Sequence, residues 1–88
     1  MKNLNETEAL TQAHKFCMNN KSSLMNDKVC GCFCCLEIFT PTEITEWIED
    51  KIDKTALCPY CDIDAVMGEG SGFLITKDFL KKMNLRWF

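Results

Sequence analysis

The chain has 88 residues, of which 47% are apolar and 26% are charged, proportions typical of one globular domain rather than of a disordered segment. No apolar run approaches the ~18 residues that cross a bilayer, and the first residues lack the apolar core and cleavage site of a secretory signal, so we expect a cytoplasmic protein. The net charge of −3 comes without a large basic cluster, which disfavours nucleic-acid binding.

The first predicted element is an amphipathic helix over residues 5–19, followed by a polar loop at 19–28. Asn5 can accept hydrogen bonds from the first turn, and Glu8 stands at the position of a capping-box partner. Apolar residues then recur at helical spacing, at Leu10, Ala13, Phe16 and Cys17. We expect this face to pack against the rest of the domain.

A second helix is predicted over residues 41–53. Thr40 fits the N-cap, Pro41 suits the first helical position, and Glu43 completes a T-x-x-E capping box. An apolar stripe at helical spacing follows, made of Ile44, Trp47, Ile48 and Ile52. We therefore expect Trp47 to lie in the core and the acidic residues of this segment to form an exposed face.

The rest of the chain is predicted to contain two extended segments, at 36–39 and 55–57, and a helix over 76–88. A turn is expected between the extended segment 55–57 and the final helix, at Gly68, Gly70 and Gly72. The final helix has an apolar face made of Phe79, Leu80, Met83 and Trp87. Because chain ends fray unless they dock, we expect Trp87 and Phe88 to pack on the body of the domain.

The strongest chemical signal is a pair of C-x2-C motifs, formed by Cys32, Cys35, Cys58 and Cys61, with twenty-two residues between the pairs. Each motif turns tightly enough for both sulfurs to face one ion, and two such knuckles complete a tetrahedron. Thiolate ligands without a histidine favour zinc, so we predict one structural Zn²⁺ at these four residues. The competing disulfide scaffold needs an oxidising compartment, and seven cysteines would leave one unpaired.

Three further cysteines and one histidine lie outside this set. Cys30 could replace one of the ligands, because Gly31 gives the chain freedom to turn and present it. Cys34 is expected to point away from the metal if its neighbours bind it. Cys17 is expected to be a small buried residue of the first helix, and His14 to be a partly buried helix residue rather than a ligand.

Catalytic interpretations of these motifs fail on their surroundings. The segment 58–61 matches the C-P-Y-C of glutaredoxins, but the twenty-seven residues that follow are too few for that fold. A zinc deaminase needs an H-x-E motif and a P-C-x-x-C motif, which this chain lacks. A nuclease of the His-Asn-His type needs catalytic histidines, and the single histidine lies outside the cysteine region. We therefore expect a protein that is not an enzyme.

From Cys30 onward the chain resembles a group of small bacterial cytoplasmic proteins of uncharacterised function. The shared elements are residues 30–35 (CGCFCC), 39–47 (FTPTEITEW), 55–61 (TALCPYC) and 79–88, with Phe79-Leu80, Met83 and Trp87-Phe88. Two residues depart from the pattern, since Cys34 replaces an aromatic residue and Asp62 replaces a glycine. Aspartate tolerates the left-handed conformation, so we expect the turn at Asp62 to survive. The resemblance implies a zinc-binding bacterial protein and no particular activity.

These expectations combine into a small zinc-stabilised α+β domain, residues 1–88. Residues 1–29 are expected to form the N-terminal helix and loop, and residues 30–88 the four-cysteine zinc module with its C-terminal helix. The core is predicted to be treble-clef-like if residues 63–67 are helical and zinc-ribbon-like if they are extended, with the treble clef slightly favoured.

The expected function is that of a non-catalytic zinc-binding module that interacts with another protein. Its binding surface would be the C-terminal helix or the face at 41–53, since segment 36–58 carries six acidic residues against two lysines. One alternative is a nucleic-acid-binding zinc finger that uses the basic residues Lys77, Lys81, Lys82 and Arg86. Another is a thiol redox or metal-sensing switch that uses Cys30 and Cys34. No membrane partner or small-molecule substrate is inferred.

Overall fold

In the computed structural model, which describes residues 5–88, helices surround two small antiparallel sheets. The helices are α1 (Glu6–Ala13), α2 (Lys21–Leu24) and α3 (Lys77–Trp87), and the strands are β1 (Cys30–Cys32), β2 (Ile38–Phe39), β3 (Trp47–Glu49), β4 (Lys54–Ala56) and β5 (Val66–Gly68). The first sheet has the order β2-β1-β5, and the second pairs β3 with β4. The predicted α+β class is confirmed. Residues 1–4, predicted to belong to the same domain, lie outside the described residues.

The N-terminal helix forms where it was predicted but is shorter than the expected 5–19, and the segment 19–28, predicted as a polar loop, contains the short helix α2. Asn5 Oδ1 accepts from the backbone N–H of Glu8 at 2.8 Å, so the predicted cap is present. The Glu8 carboxylate accepts from the Asn5 side-chain amide at 3.0 Å, which fixes the cap from the other side. After Ala13 the helix tightens into a 3-10 turn over His14–Cys17 and then ends. Leu10, Ala13 and Cys17 are buried, as the spacing predicted.

The predicted helix over residues 41–53 is wrong. Its capping box does form, because the backbone N–H of Thr40 donates to the Glu43 carboxylate at 2.9 Å. The helical turn nevertheless extends only over Pro41–Glu43, and the chain then enters the antiparallel hairpin of β3 and β4. The capping box therefore starts a turn that the following residues do not continue.

The residues after the capping box explain why a hairpin forms instead. In the supposed stripe, Ile48 is 41% exposed and Ile52 is 90% exposed, so neither contributes to the core as a helix would require. Aspartates at the tip accept backbone hydrogen bonds locally: Asp50 accepts from Lys51 at 2.9 Å and Asp53 from Lys54 at 2.8 Å. Such contacts favour turns over helix interiors. Trp47 was expected in the core, but it lies half-buried on β3 and packs against the core from its edge.

The C-terminal helix is confirmed, and it packs against α1 and, through Leu80, against β1. Thr76 Oγ1 accepts from the backbone N–H of Phe79 at 3.1 Å and caps the helix. Leu80 and Met83 are fully buried, and burial of such a side chain contributes about 1.5–3 kcal/mol. The approach is close at β1, where a Cβ on Gly31 would lie 2.8 Å from Leu80 Cδ1. The lack of a side chain at Gly31 thus allows this close packing. The residue lies in a regular strand and not at the turn that was expected there.

The end of the chain divides into a docked and an exposed residue. The Trp87 indole N–H donates to the carbonyl of Leu10 at 3.2 Å, and its ring lies 4.1 Å from the His14 ring, so Trp87 docks on α1 as expected. Phe88 is 63% exposed, although its ring contacts that of Phe33 at 5.7 Å. Within the described residues, no helix has the length and apolar character needed to span a membrane.

Candidate metal centre

The four cysteines of the two C-x2-C motifs form one cluster, with Cys32 at the end of β1 and Cys58 two residues after β4. The Sγ atoms of Cys32, Cys35, Cys58 and Cys61 all lie within 4.8 Å of one another. Across the pairs, Cys32 Sγ lies 3.6 Å from Cys61 Sγ, and Cys35 Sγ lies 3.7 Å from Cys58 Sγ. Four sulfurs at ~2.3 Å from a central ion in a tetrahedron would be separated by about 3.8 Å. The donor set therefore fits a tetrahedral metal ion that accepts thiolates.

The backbone builds the two knuckles in the same way. The N–H of Leu36 donates to the carbonyl of Cys32 at 2.8 Å, and the N–H of Asp62 donates to that of Cys58 at 2.9 Å. Both of these donors are left-handed, with φ of 68° at Leu36 and 64° at Asp62. The expectation that the turn at Asp62 survives without glycine is confirmed. In each knuckle the chain thus reverses directly after the second cysteine.

Backbone N–H groups also point at the sulfur of the first cysteine in each motif. The N–H of Cys34 donates to Cys32 Sγ, and the N–H of Tyr60 donates to Cys58 Sγ, both at 3.3 Å. A hydrogen bond to the charged form of a group favours that form, so these donors stabilise thiolates. The two equivalent contacts show that the site is organised for negative sulfur on both sides.

Burial acts on the thiols in the opposite direction. Cys32 is completely buried, and this burial raises its pKa far above the ordinary value. Burial likewise raises the pKa of Cys58 to about 11. At Cys61 burial also opposes ionisation, but hydrogen bonds from the backbone N–H of Ile63 and from neighbouring thiols outweigh it and lower the pKa. Without a cation, burial favours the neutral thiols. A divalent cation bound between the sulfurs would instead stabilise all four as thiolates.

The segment after the second knuckle decides between the two predicted topologies. Residues Val66–Gly68 form β5, which pairs antiparallel with β1 in the register Cys32↔Val66. No helix follows Cys61 before this strand. The core is therefore of the ribbon-like kind, in which each knuckle adjoins an antiparallel strand, and the slight preference for a treble clef is wrong. The strand is favoured because Val66 and Met67 are wholly buried.

The other cysteines lie outside the four-sulfur cluster. Cys30 is completely buried, and its Sγ donates to the carbonyl of Phe39 at 3.5 Å. Burial raises the pKa of Cys30 to about 12 and that of Cys17 to about 11, so both are neutral thiols at physiological pH. Cys34 is half-buried beside Cys61. His14 is partly buried against Trp87, as expected, rather than near the sulfurs.

Two residues of α3 support the first knuckle and were not identified from the sequence. Asn84 donates from its side-chain amide to the carbonyls of Phe33 and Cys34, at 2.9 and 3.1 Å. Lys77 Nζ donates to the carbonyl of Leu36. Both occupy ordinary positions on a helix, so no local pattern distinguished them; only the docking of α3 brings them to the knuckle.

Comparison with known proteins adds nothing to the geometry. No protein-family model, curated protein or solved structure matches this chain. The fold and site define a small α+β domain with two knuckles and a four-cysteine cluster that could hold a metal ion.

Proposed function

We propose that this protein is a non-catalytic zinc-binding module in which Cys32, Cys35, Cys58 and Cys61 hold one structural Zn²⁺. The observation that carries the proposal is the four-sulfur cluster, whose cross-pair separations of 3.6 and 3.7 Å suit tetrahedral thiolate coordination. Iron accepts the same ligands and geometry and is the metal against which zinc must be tested. The bound ion would link two segments of the chain that lie far apart in sequence.

We propose that the metal centre is structural and takes no part in catalysis. A catalytic zinc keeps one coordination position for water or substrate, whereas four protein thiolates fill the tetrahedron. The ion would therefore stabilise the fold without meeting a substrate. With four thiolates and one Zn²⁺ the site carries a net charge of −2, which adds to the chain's −3.

We further propose that the module acts by binding another protein in the bacterial cytoplasm. The nucleic-acid alternative loses support because three of its four basic residues have intramolecular partners. Lys77 binds the Leu36 carbonyl, Lys82 pairs with Glu6 and Asp78 at 3.3 Å, and the Arg86 guanidinium donates to Thr11 Oγ1 at 3.3 Å. Engaged cations contribute less to phosphate binding than a free basic cluster.

The thiol-switch alternative would use Cys34, which lies beside Cys61. Burial and the neighbouring Cys61 raise the pKa of Cys34, and a neutral thiol is a poor nucleophile. Cys30 is still less suitable, because it is completely buried. The structural role of the cluster is therefore the better supported function.

Native mass spectrometry of protein expressed without added metal tests the metal assignment. We expect one Zn²⁺ per chain, lost when any member of the cluster is replaced by serine, as in Cys32→Ser or Cys61→Ser. The matched controls are Cys30→Ser and Cys34→Ser, which we expect to retain the ion. Iron in place of zinc, or metal loss from the Cys30→Ser variant, would contradict the proposed site.

Chromatography on heparin at low salt tests the choice of partner class. We expect the protein to pass through unretained, because its net charge is negative and three of the four basic residues of the C-terminal helix have intramolecular partners. Salt-dependent retention that disappears in Lys81→Ala would favour the nucleic-acid alternative.

A further inference from the structure

A recess of about 250 Å³ is lined in part by residues that flank the two knuckles. It is bounded by Phe33 of the first knuckle, by Ile63 and Asp64 after the second knuckle, and by Trp87 and Phe88 at the end of α3. Typical pockets for drug-sized molecules are larger, at about 300–1,000 Å³. The recess therefore has room for one amino-acid side chain rather than for an organic cofactor.

Two aromatic residues of the recess, Phe33 and Trp87, are held in place before any ligand arrives. The Trp87 ring is fixed by the hydrogen bond from its indole N–H to Leu10 and by its contact with His14. The rings of Phe33 and Phe88 lie 5.7 Å apart at an interplanar angle of 50°. A preformed apolar wall lowers the conformational cost of binding, because fewer side chains must be ordered.

Among the described residues that line the recess, Asp64 is the one acidic residue and His14 is the one basic residue. Asp64 is exposed at the rim of the recess and takes part in none of the ion pairs formed between residues 5 and 88. No lysine or arginine lines the recess. The Arg86 guanidinium, 5.0 Å from the centroid of the Trp87 ring, lies outside the lining. Aromatic faces next to a carboxylate attract a cation.

We propose that this recess binds one basic side chain, lysine or arginine, presented by a partner protein. Asp64 pairs with the charged end while the aromatic rings contact the aliphatic stem. This inference rests on the proposed function, since it names the chemistry of the partner that the module recognises. It places the recognition surface at residues that flank the two knuckles and at the end of α3, rather than on the hairpin of residues 47–56.

Titration with short peptides, followed by NMR of the tryptophan indole N–H groups at pH 8, tests the inference. The probes are acetyl-Gly-Lys-Gly-amide and the same peptide with norleucine, which keeps the aliphatic stem but lacks the ammonium group. We expect the lysine peptide to shift the Trp87 indole resonance saturably, while Trp47, outside the lining, serves as an internal reference. The norleucine peptide is expected to cause no saturable shift.

Two matched variants separate the carboxylate from general surface charge. Asp64→Asn removes the charge at the recess and is expected to weaken binding of the lysine peptide at least threefold. Glu46→Gln removes an equal charge from an exposed residue outside the lining and outside the two knuckles, and is expected to leave binding unchanged. Equal binding of the two peptides, no shift at Trp87, or equal loss in both variants would overturn the inference. A separate titration with n-butylammonium serves as a further check. If n-butylammonium binds and the lysine peptide does not, the inference is also overturned, because the site then accepts small amines rather than a protein side chain. Metal content by mass spectrometry is independent of all these outcomes, so failure here is distinguishable from failure of the zinc assignment.

Discussion

Leu36 and Asp62 occupy equivalent positions in the two halves of the metal centre. Each follows the second cysteine of its motif, each is left-handed with φ near 65°, and each donates its N–H to the carbonyl of the first cysteine. Neither is glycine, the residue that adopts this conformation without steric cost. The geometry of each knuckle thus requires a left-handed backbone conformation at a residue, Leu36 or Asp62, that has a side chain.

The strain at Asp62 can be measured by substitution. We expect Asp62→Gly to raise the free energy of unfolding by about 0.5 kcal/mol, because glycine removes the left-handed penalty but gains freedom in the unfolded chain. Asp62→Val should lower it by about 1–2 kcal/mol, since a β-branched residue is strained at this φ. Urea denaturation at fixed free zinc would measure both. The control is Glu37→Gly, at an exposed residue whose φ is not positive. This variant should lower the free energy of unfolding, and a stabilising effect would contradict the explanation by left-handed strain.

Metal concentration should set the stability of the whole domain. If Zn²⁺ binds only the folded chain, each tenfold rise in free zinc above the dissociation constant adds about 1.4 kcal/mol to the free energy of unfolding. Thermal or urea unfolding in zinc buffers would give this slope, and a strong chelator should lower the melting temperature. Cys58→Ser should abolish the zinc dependence. A zinc-independent stability of the unaltered protein would refute the structural role of the ion.

Asn20 joins three parts of the fold through one buried side chain. Its amide group donates to the carbonyls of Phe16 and Val66 at 3.0 and 2.9 Å, and its oxygen accepts from the N–H of Ala56 at 3.1 Å. Asn20→Ala would leave these groups unpaired, and we expect a loss of about 2–4 kcal/mol in the free energy of unfolding.

The control for this variant is Asn26→Ala. The Asn26 amide donates to the carbonyl of Ser22 at the surface, so its removal should cost less than about 0.5 kcal/mol. Denaturant titrations of both variants provide the measurement. Similar losses in the two variants would show that Asn20 does not have the connecting role inferred from its contacts.

Acid should weaken the link between α2 and the β3–β4 hairpin. Hydrogen bonds from the backbone N–H of Ser22, and then of Lys54, lower the pKa of Asp53 below its ordinary value. A carboxyl whose folded pKa is lowered stabilises the fold above its unfolded pKa of ~3.9 and loses this contribution as pH falls through the folded pKa.

The stability difference between the unaltered protein and Asp53→Asn should therefore be present at neutral pH and shrink below about pH 4. Urea unfolding of both proteins across this range measures it, and acid-induced metal loss largely cancels because it affects both. A difference that grows on acidification would have the wrong sign for this mechanism.

The parts of the fold that the sequence predicts are those decided by local chemistry. Asn5 and Thr76 cap their helices with their own side chains, and the C-x2-C spacing brings the sulfurs of a pair together without reference to distant residues. The hairpin of β3 and β4 was missed because Thr40 and Glu43 form a genuine capping box. The helical turn ends there because of a tertiary contact. The side-chain oxygen of Asn19 accepts a hydrogen bond from the backbone N–H of Ile52 at the tip of the hairpin.

The contribution of α3 to the metal centre could not be read from the sequence either. Asn84 and Lys77 stabilise the first knuckle only because Gly31 lets Leu80 approach the sheet closely. Such a contact depends on the relative placement of a helix and a strand more than forty positions apart in the chain.

The four cysteines of the cluster are not equally exposed. Cys32 and Cys58, the first cysteines of their motifs, are 0% and 1% exposed, whereas the second cysteines, Cys35 and Cys61, are only half-buried. The cluster therefore has a closed side and an open edge. An ion or a chelator arriving from solvent would meet Cys35 and Cys61 first, so the exchange of metal would proceed through this edge, while the two inner sulfurs retain it until last.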